Sequence, residues 1–177
     1  MITIEPSFET TLSAPALTRF LNRARLAAGL RGAVDVLLTS DETLRQLNKN
    51  FRGKNKPTDV LSFPAPTKFA TKHAGDLAIS LETANRQAAA YGHSLVEETK
   101  ILILHGLLHL AGEDHETDNG EMATREATLR RELRLPNTLI ERTTLTTSKK
   151  PRTTTKKPSK STPKLPAKVQ SSKRGGK

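Results

Sequence analysis

The segment Ile101-Leu102-Ile103-Leu104-His105-Gly106-Leu107-Leu108-His109-Leu110-Ala111-Gly112 constrains this chain more than any other stretch. It is preceded by Ser94-Leu95-Val96-Glu97, a capping box in which serine and glutamate satisfy backbone N–H groups at a helix start. The spacing predicts a helix from Ser94 to a stop at Gly112. From Ile101 onward that helix is apolar nearly all round, so it belongs at the centre of a fold and not on its surface.

The remaining elements must supply the cover. Ile2–Ile4 reads as a short strand, and Ser13 with Pro15 as a helix start, because a proline in the first turn sacrifices no helical hydrogen bond. Leu17, Phe20, Leu21 and Leu26 then recur at helical spacing up to Gly29. Val34–Thr39 is a compact β-branched run, predicted to be a buried strand. A short helix over Asp41–Asn50 follows, with Leu44 and Leu47 on one face. Val60–Phe63 is a strand fenced by Pro57 and Pro64, which favours a sheet edge. Asp76–Ser80 is a further strand, and a helix from Ser80 to Tyr91 ends at Gly92. Asp118 with Glu121 reads as a second capping box, opening a last helix to Leu133, with Met122 an ordinary core residue of it. Interleaved strands and helices predict an α+β (α/β) fold: a small mixed sheet of about four strands packed with about five helices in a single domain.

Charge sets the domain boundary. The chain carries 29 Lys and Arg against 18 Asp and Glu, yet 11 of the basic residues and none of the acidic ones lie between Ser148 and Lys177. Residues 1–147 are therefore neutral, with 18 charges of each sign, and the formal net charge of +11 belongs to the last thirty residues. That tail is rich in Lys, Thr, Ser and Pro, with too few apolar groups to offset the entropy of ordering, and is expected to be disordered. The absence of cysteine rules out disulfides, thiolate metal ligands and thiol nucleophiles. The N-terminus lacks the basic and apolar regions of a signal peptide, and no apolar run approaches the ~20 residues that span a bilayer. A soluble cytoplasmic protein with no membrane partner is expected.

Three of the five histidines fall within one short stretch: His105, His109 and His115. Residues four apart share a helix face, so His105 and His109 can offer ring nitrogens to one ion. A left-handed Gly112 can then turn the chain back and bring His115 to the same point. Three neutral ligands with an open fourth position describe a catalytic zinc site, in which bound water loses a proton near pH 7. The plainer alternative, histidines satisfied inside a core, requires two imidazoles on a buried helix without a shared partner, at a cost of several kcal/mol. His73 and His93 fall in predicted loops and read as surface residues. The spacing matches the extended H-E-x-x-H-x-x-G-x-x-H pattern of zinc proteases, but Gly106 stands where their general base would be.

A second motif, FRGKNKPTDVLSFP from Phe51 to Pro64, joins a basic loop to the edge strand. By itself the trio Arg52, Lys54 and Lys56 reads more readily as a solvated loop than as an RNA-binding one. Together with Gly75-Asp76-Leu77-Ala78-Ile79-Ser80 and HGLLHLAGEDH, in that order across residues 30–135, it resembles the YbeY family of bacterial metal-dependent endoribonucleases, the rRNA maturation factors. The resemblance implies a small mixed sheet with helices around it and one Zn2+ per chain (or another divalent metal) held by His105, His109 and His115. It further implies that Arg52 serves RNA cleavage. The implied activity is hydrolysis of single-stranded RNA in ribosomal RNA maturation and quality control. The implied partners are ribosomal RNA and the small ribosomal subunit, with a small-subunit ribosomal protein and a ribosome-assembly GTPase. The chain departs from the commoner family pattern at Asn55, where Asp is frequent, and at Glu113, where an aromatic residue or His is frequent; neither position is expected to touch a ligand.

Chemistry fits these roles. A phosphodiester under attack gathers negative charge on its non-bridging oxygens, which a bidentate arginine can stabilise. Asp114 can orient a metal ligand or shuttle a proton, or it can simply cap the turn after Gly112. The tail residues Lys149, Lys150, Arg152, Lys156 and Lys157 can neutralise RNA phosphates without reading sequence, or merely keep the terminus soluble. Two other readings stay open: a ribosome-assembly binding factor with a structural metal, and a metalloprotease-like hydrolase.

Overall fold

The computed structural model describes residues 1–8, 12–115 and 117–136. The basic tail, including Lys149, Lys150, Arg152, Lys156 and Lys157, lies outside the described residues. The strands are β1 (Ile2–Ile4), β2 (Ala33–Thr39), β3 (Val60–Pro64) and β4 (His73–Ser80). The helices are α1 (Ala14–Ala27), α2 (Asp41–Arg52), α3 (Leu81–Tyr91), α4 (Leu95–Leu110) and α5 (Glu121–Leu133). The four strands form one mixed sheet in the order β1-β2-β4-β3. β2 runs parallel to both β1 and β4, and β3 is antiparallel to β4 at the edge, as its flanking prolines predict.

Alternation along the strands divides the core. Val34, Val36, Leu38, Leu77 and Ile79 point to one face and meet α1, α4 and α5 in the main hydrophobic cluster. Leu61 and Ala78 point to the other face and pack on Leu44 of α2 in a smaller one. Helix α4 is buried at every residue from Ile101 to Leu108 and touches α1, α3, α5, β3 and β4. Ser94 and Glu97 form the complete capping box that fixes its start. Serines cap the other helices that leave strands, Ser40 for α2 and Ser80 for α3, each accepting from the N–H three residues on.

The structure corrects three sequence expectations. Helix α5 has Gly120, not Asp118, at its N-cap. Asp118 still serves the helix start from two residues upstream, its carboxylate accepting from Gly120 N (2.9 Å) and Met122 N (2.7 Å). These N–H groups hold that carboxyl below its ordinary range. His73 is no loop residue but the half-buried first residue of β4. His93 is not on the surface: Gly92 turns the chain so that His93 Nδ1 lies 3.1 Å from the buried Glu98 carboxylate. Met122 is fully buried in the main cluster, as expected. No helix is long and apolar enough to cross a membrane among the described residues.

Candidate metal centre

Helix α4 places His105 and His109 one turn apart on the side that emerges from the core, 5% exposed and half-buried respectively. Gly112 takes φ +91°, a conformation that a side chain would strain, and the chain reverses there. The reversal returns His115 to the first two rings. All three ring pairs have centroids within 4.8 to 5.2 Å. One ring nitrogen from each residue lies within 4.8 Å of the others.

The outer nitrogens decide what the inner ones can do. His109 Nδ1 lies 2.9 Å from the backbone carbonyl of Glu113, a group that only accepts, so Nδ1 carries the proton and Nε2 a lone pair. His105 Nδ1 lies 3.0 Å from Glu126 Oε2 and is fixed in the same tautomer. The two Nε2 atoms then face each other at 3.1 Å with a lone pair on each. That approach is repulsive unless a cation sits between them, and this donor set fits a divalent metal. Burial pushes the His109 imidazole below its usual pKa, helped by His105 and then His115 and opposed by the Glu113 carbonyl and Asp114. The neutral, metal-ready form is thereby favoured.

Glu126 is a functional residue that sequence reasoning missed. It is fully buried on α5 between His105 and Arg130, whose guanidinium lies 3.3 Å from Glu126 Oε1. The arrangement is the carboxylate–histidine support common behind metal ligands. A signal existed: Met122, Glu126, Leu129 and Leu133 form one buried stripe of α5, and a glutamate there demands a partner. If the three histidines hold a divalent metal, Glu126→Gln is expected to weaken its affinity by about 10–100-fold. Competition against a chromophoric chelator would measure it, with the unfolding midpoint followed in parallel because Arg130 loses a charged partner.

The cluster opens into a cleft of about 670 Å³, which Arg52, Lys54 and Asp114 also line. Lys56 does not reach it. The loop between α2 and β3 is pinned to α2, Asn48 Nδ2 donating to the Lys56 carbonyl (2.8 Å) and Arg45 to Asn55 Oδ1 (2.7 Å). Asn55 thus offers the acceptor that an aspartate would. Glu113, expected to touch no ligand, does so through its backbone, while its side chain pairs with Arg125. Gly106, where zinc proteases carry their base, faces the sheet. A Cβ there would lie 2.7 Å from Leu77 Cδ2 and 3.3 Å from Val60 Cγ2.

Fold and site together define an α+β protein in which three histidines that could hold a metal open into a cleft lined by side chains of both charges. The family model described as Endoribonuclease YbeY matches residues 4–134. The Endoribonuclease YbeY of Koribacter versatilis (strain Ellin345) is 58% identical over 133 residues, 75% of this chain and 86% of the relative. That of Solibacter usitatus (strain Ellin6076) is 48% identical over 132 residues, covering 75% and 87%. The solution structure of TM1509 from Thermotoga maritima superposes with a TM-score of 0.53 at 25% identity, over 88% of this chain and 100% of that one. The chain belongs to the YbeY endoribonuclease family.

Proposed function

We propose that this protein is a zinc-dependent endoribonuclease that cuts single-stranded RNA in the maturation and quality control of ribosomal RNA. The observation that carries the reading is the convergence of three imidazoles in a cleft that Arg52 and Lys54 share. His105, His109 and His115 would hold the ion, and half-exposed to exposed positions at His109 and His115 leave it open to substrate. A bound zinc supplies a Lewis acid for a phosphoryl oxygen and a water of lowered pKa. Arg52 grips the phosphate and stabilises the charge that grows on its non-bridging oxygens as one P–O bond forms and another breaks. Asp114, half-buried in the same cleft, would orient a ligand or take the nucleophile's proton. The crowding at Gly106 argues against peptide hydrolysis by the usual glutamate base.

Ribosomal RNA on the small subunit, met in the cytoplasm together with a small-subunit ribosomal protein and an assembly GTPase, is the proposed setting. Zinc-loaded protein is expected to cleave a single-stranded ribosomal RNA fragment, to stop after chelation and to resume on zinc addition. Cleavage that survives chelation would overturn the reading. The tail is assigned a tethering role. Truncation after Thr147 is expected to weaken RNA binding and flatten its salt dependence, since each phosphate that the tail no longer neutralises reduces the slope of log K against log salt by roughly 0.7 for single strands. An unchanged slope in a salt titration would exclude the tether.

A further inference from the structure

The cleft extends beyond the metal centre, and its far wall has a chemistry of its own. Gln87 and Tyr91 stand one turn apart on α3 and line the cleft with Asp59, the residue before β3. Asp59 is rigidly held. Its carbonyl accepts from Ser80 N at 2.9 Å, continuing the β3–β4 ladder. Its Oδ1 accepts from Val60 N (2.8 Å) and from Thr58 Oγ1 (3.2 Å), and its Oδ2 accepts from Gln87 Nε2 (3.1 Å). A carboxylate has about four acceptor positions, so one remains, on Oδ2, in a half-buried group that forms no ion pair among the described residues. Three neutral donors orient this carboxylate and none neutralises it. Tyr91 adds an aromatic ring, 41% exposed, on the same wall.

Resting on the nuclease reading above, we propose that Asp59, Gln87 and Tyr91 form a nucleobase subsite that stacks one base of the RNA strand and selects bases carrying an amino group. Tyr91 supplies the stacking face, which accepts any base. The free acceptor position of Asp59 supplies the choice. Adenine, cytosine and guanine each present an exocyclic N–H to such an acceptor. Uracil presents carbonyl oxygens on both sides of its single N–H, and these face the carboxylate with like charge. A fixed, half-buried acceptor that meets carbonyl oxygens in place of an amino group discriminates against that base. Gln87 is a positioning residue: its amide faces Asp59, and its buried Oε1 meets no donor among the described residues. Among the described residues, only Asp59 therefore gives the amide a hydrogen-bond reason to point one way. In Asp59→Asn the amide can turn over and accept from the new side chain, so this variant should fold normally while offering RNA a changed pattern.

The test measures binding of uncleavable 2′-O-methyl uridine pentamers holding a single central A, C, G or U, by fluorescence anisotropy, to zinc-loaded full-length protein. The expected result is binding of the A, C and G oligomers about tenfold tighter than the U oligomer, the size of one well-placed hydrogen bond. Asp59→Asn and Gln87→Leu, with unfolding midpoints matched to wild type, should each shrink that ratio below about threefold, while Tyr91→Ala should weaken every oligomer roughly tenfold and preserve the ranking. Equal binding of U by the wild type, a ranking unmoved in both Asp59→Asn and Gln87→Leu, or unchanged affinity in Tyr91→Ala would overturn the subsite. Cleavage of the matching all-ribose oligomers separates the two claims. Ranked binding without cleavage would remove the nuclease reading and leave the subsite, and cleavage without ranking would do the reverse.

Discussion

On the zinc-nuclease reading proposed above, His109→Ala is expected to lose metal binding and at least ~1000-fold of its RNA cleavage while the fold stands. Structural zinc sites are worth about 10–16 kcal/mol, so one ligand of a small set carries several kcal/mol, which is three or more decades of affinity. The choice of His109 over His105 follows from what each ring touches. His105 is buried against Glu126, which Arg130 also contacts; removing it leaves a carboxylate in the interior without its imidazole donor and endangers the fold. His109 is half-buried, and its outward hydrogen bond goes to the Glu113 carbonyl in a surface turn that water can satisfy. Alanine is also the better helix former at the last turn of α4. Metal content by mass spectrometry, helix content by circular dichroism and cleavage rate, measured on one preparation, check the three parts. A variant that keeps wild-type metal content would place the ion elsewhere.

How far the sequence disclosed this arrangement depends on the range over which each interaction acts. Helix α4 was readable because its signals are local: a capping box within four residues, an apolar run, and a glycine at the turn. The same holds for the histidines, whose i, i+4 spacing survives any tertiary context. The edge position of β3 was readable from two prolines. Glu126 was not, because its partner stands 21 positions away on another helix and a glutamate within α5 looks like any solvated residue until the buried stripe is known. Asp59 and Gln87, 28 positions apart, leave no periodic trace for the same reason. His93 misled because loop composition says nothing about a buried acid at Glu98. The N-cap of α5 misled by two residues, since an aspartate carboxylate can reach forward across a glycine to the same N–H groups.

On the same proposed reading, Arg52→Ala is expected to keep its metal affinity and its unfolding midpoint yet cleave RNA about 100–1000-fold more slowly, the usual consequence of removing one charge-stabilising group from a transition state. Its place in the fold supports that separation. Arg52 is the last residue of α2, exposed, directly before the left-handed Gly53 that ends the helix. Its favourable position near the helix C-terminus is worth only a few tenths of a kcal/mol to about 1 kcal/mol. The neighbouring Phe51 anchors the helix end instead, edge-on to Phe63 at 5.1 Å. Arg52 forms no side-chain hydrogen bond or ion pair with another described residue, and it lines the cleft in which a phosphate held beside the metal would lie. Arg52→Lys should recover only part of the rate, because a lysine keeps the charge but loses the paired N–H geometry that fits two phosphate oxygens at once. A loss confined to the Michaelis constant would make Arg52 a binding group that holds substrate and transition state equally, whereas a loss in kcat places its effect where the charge develops.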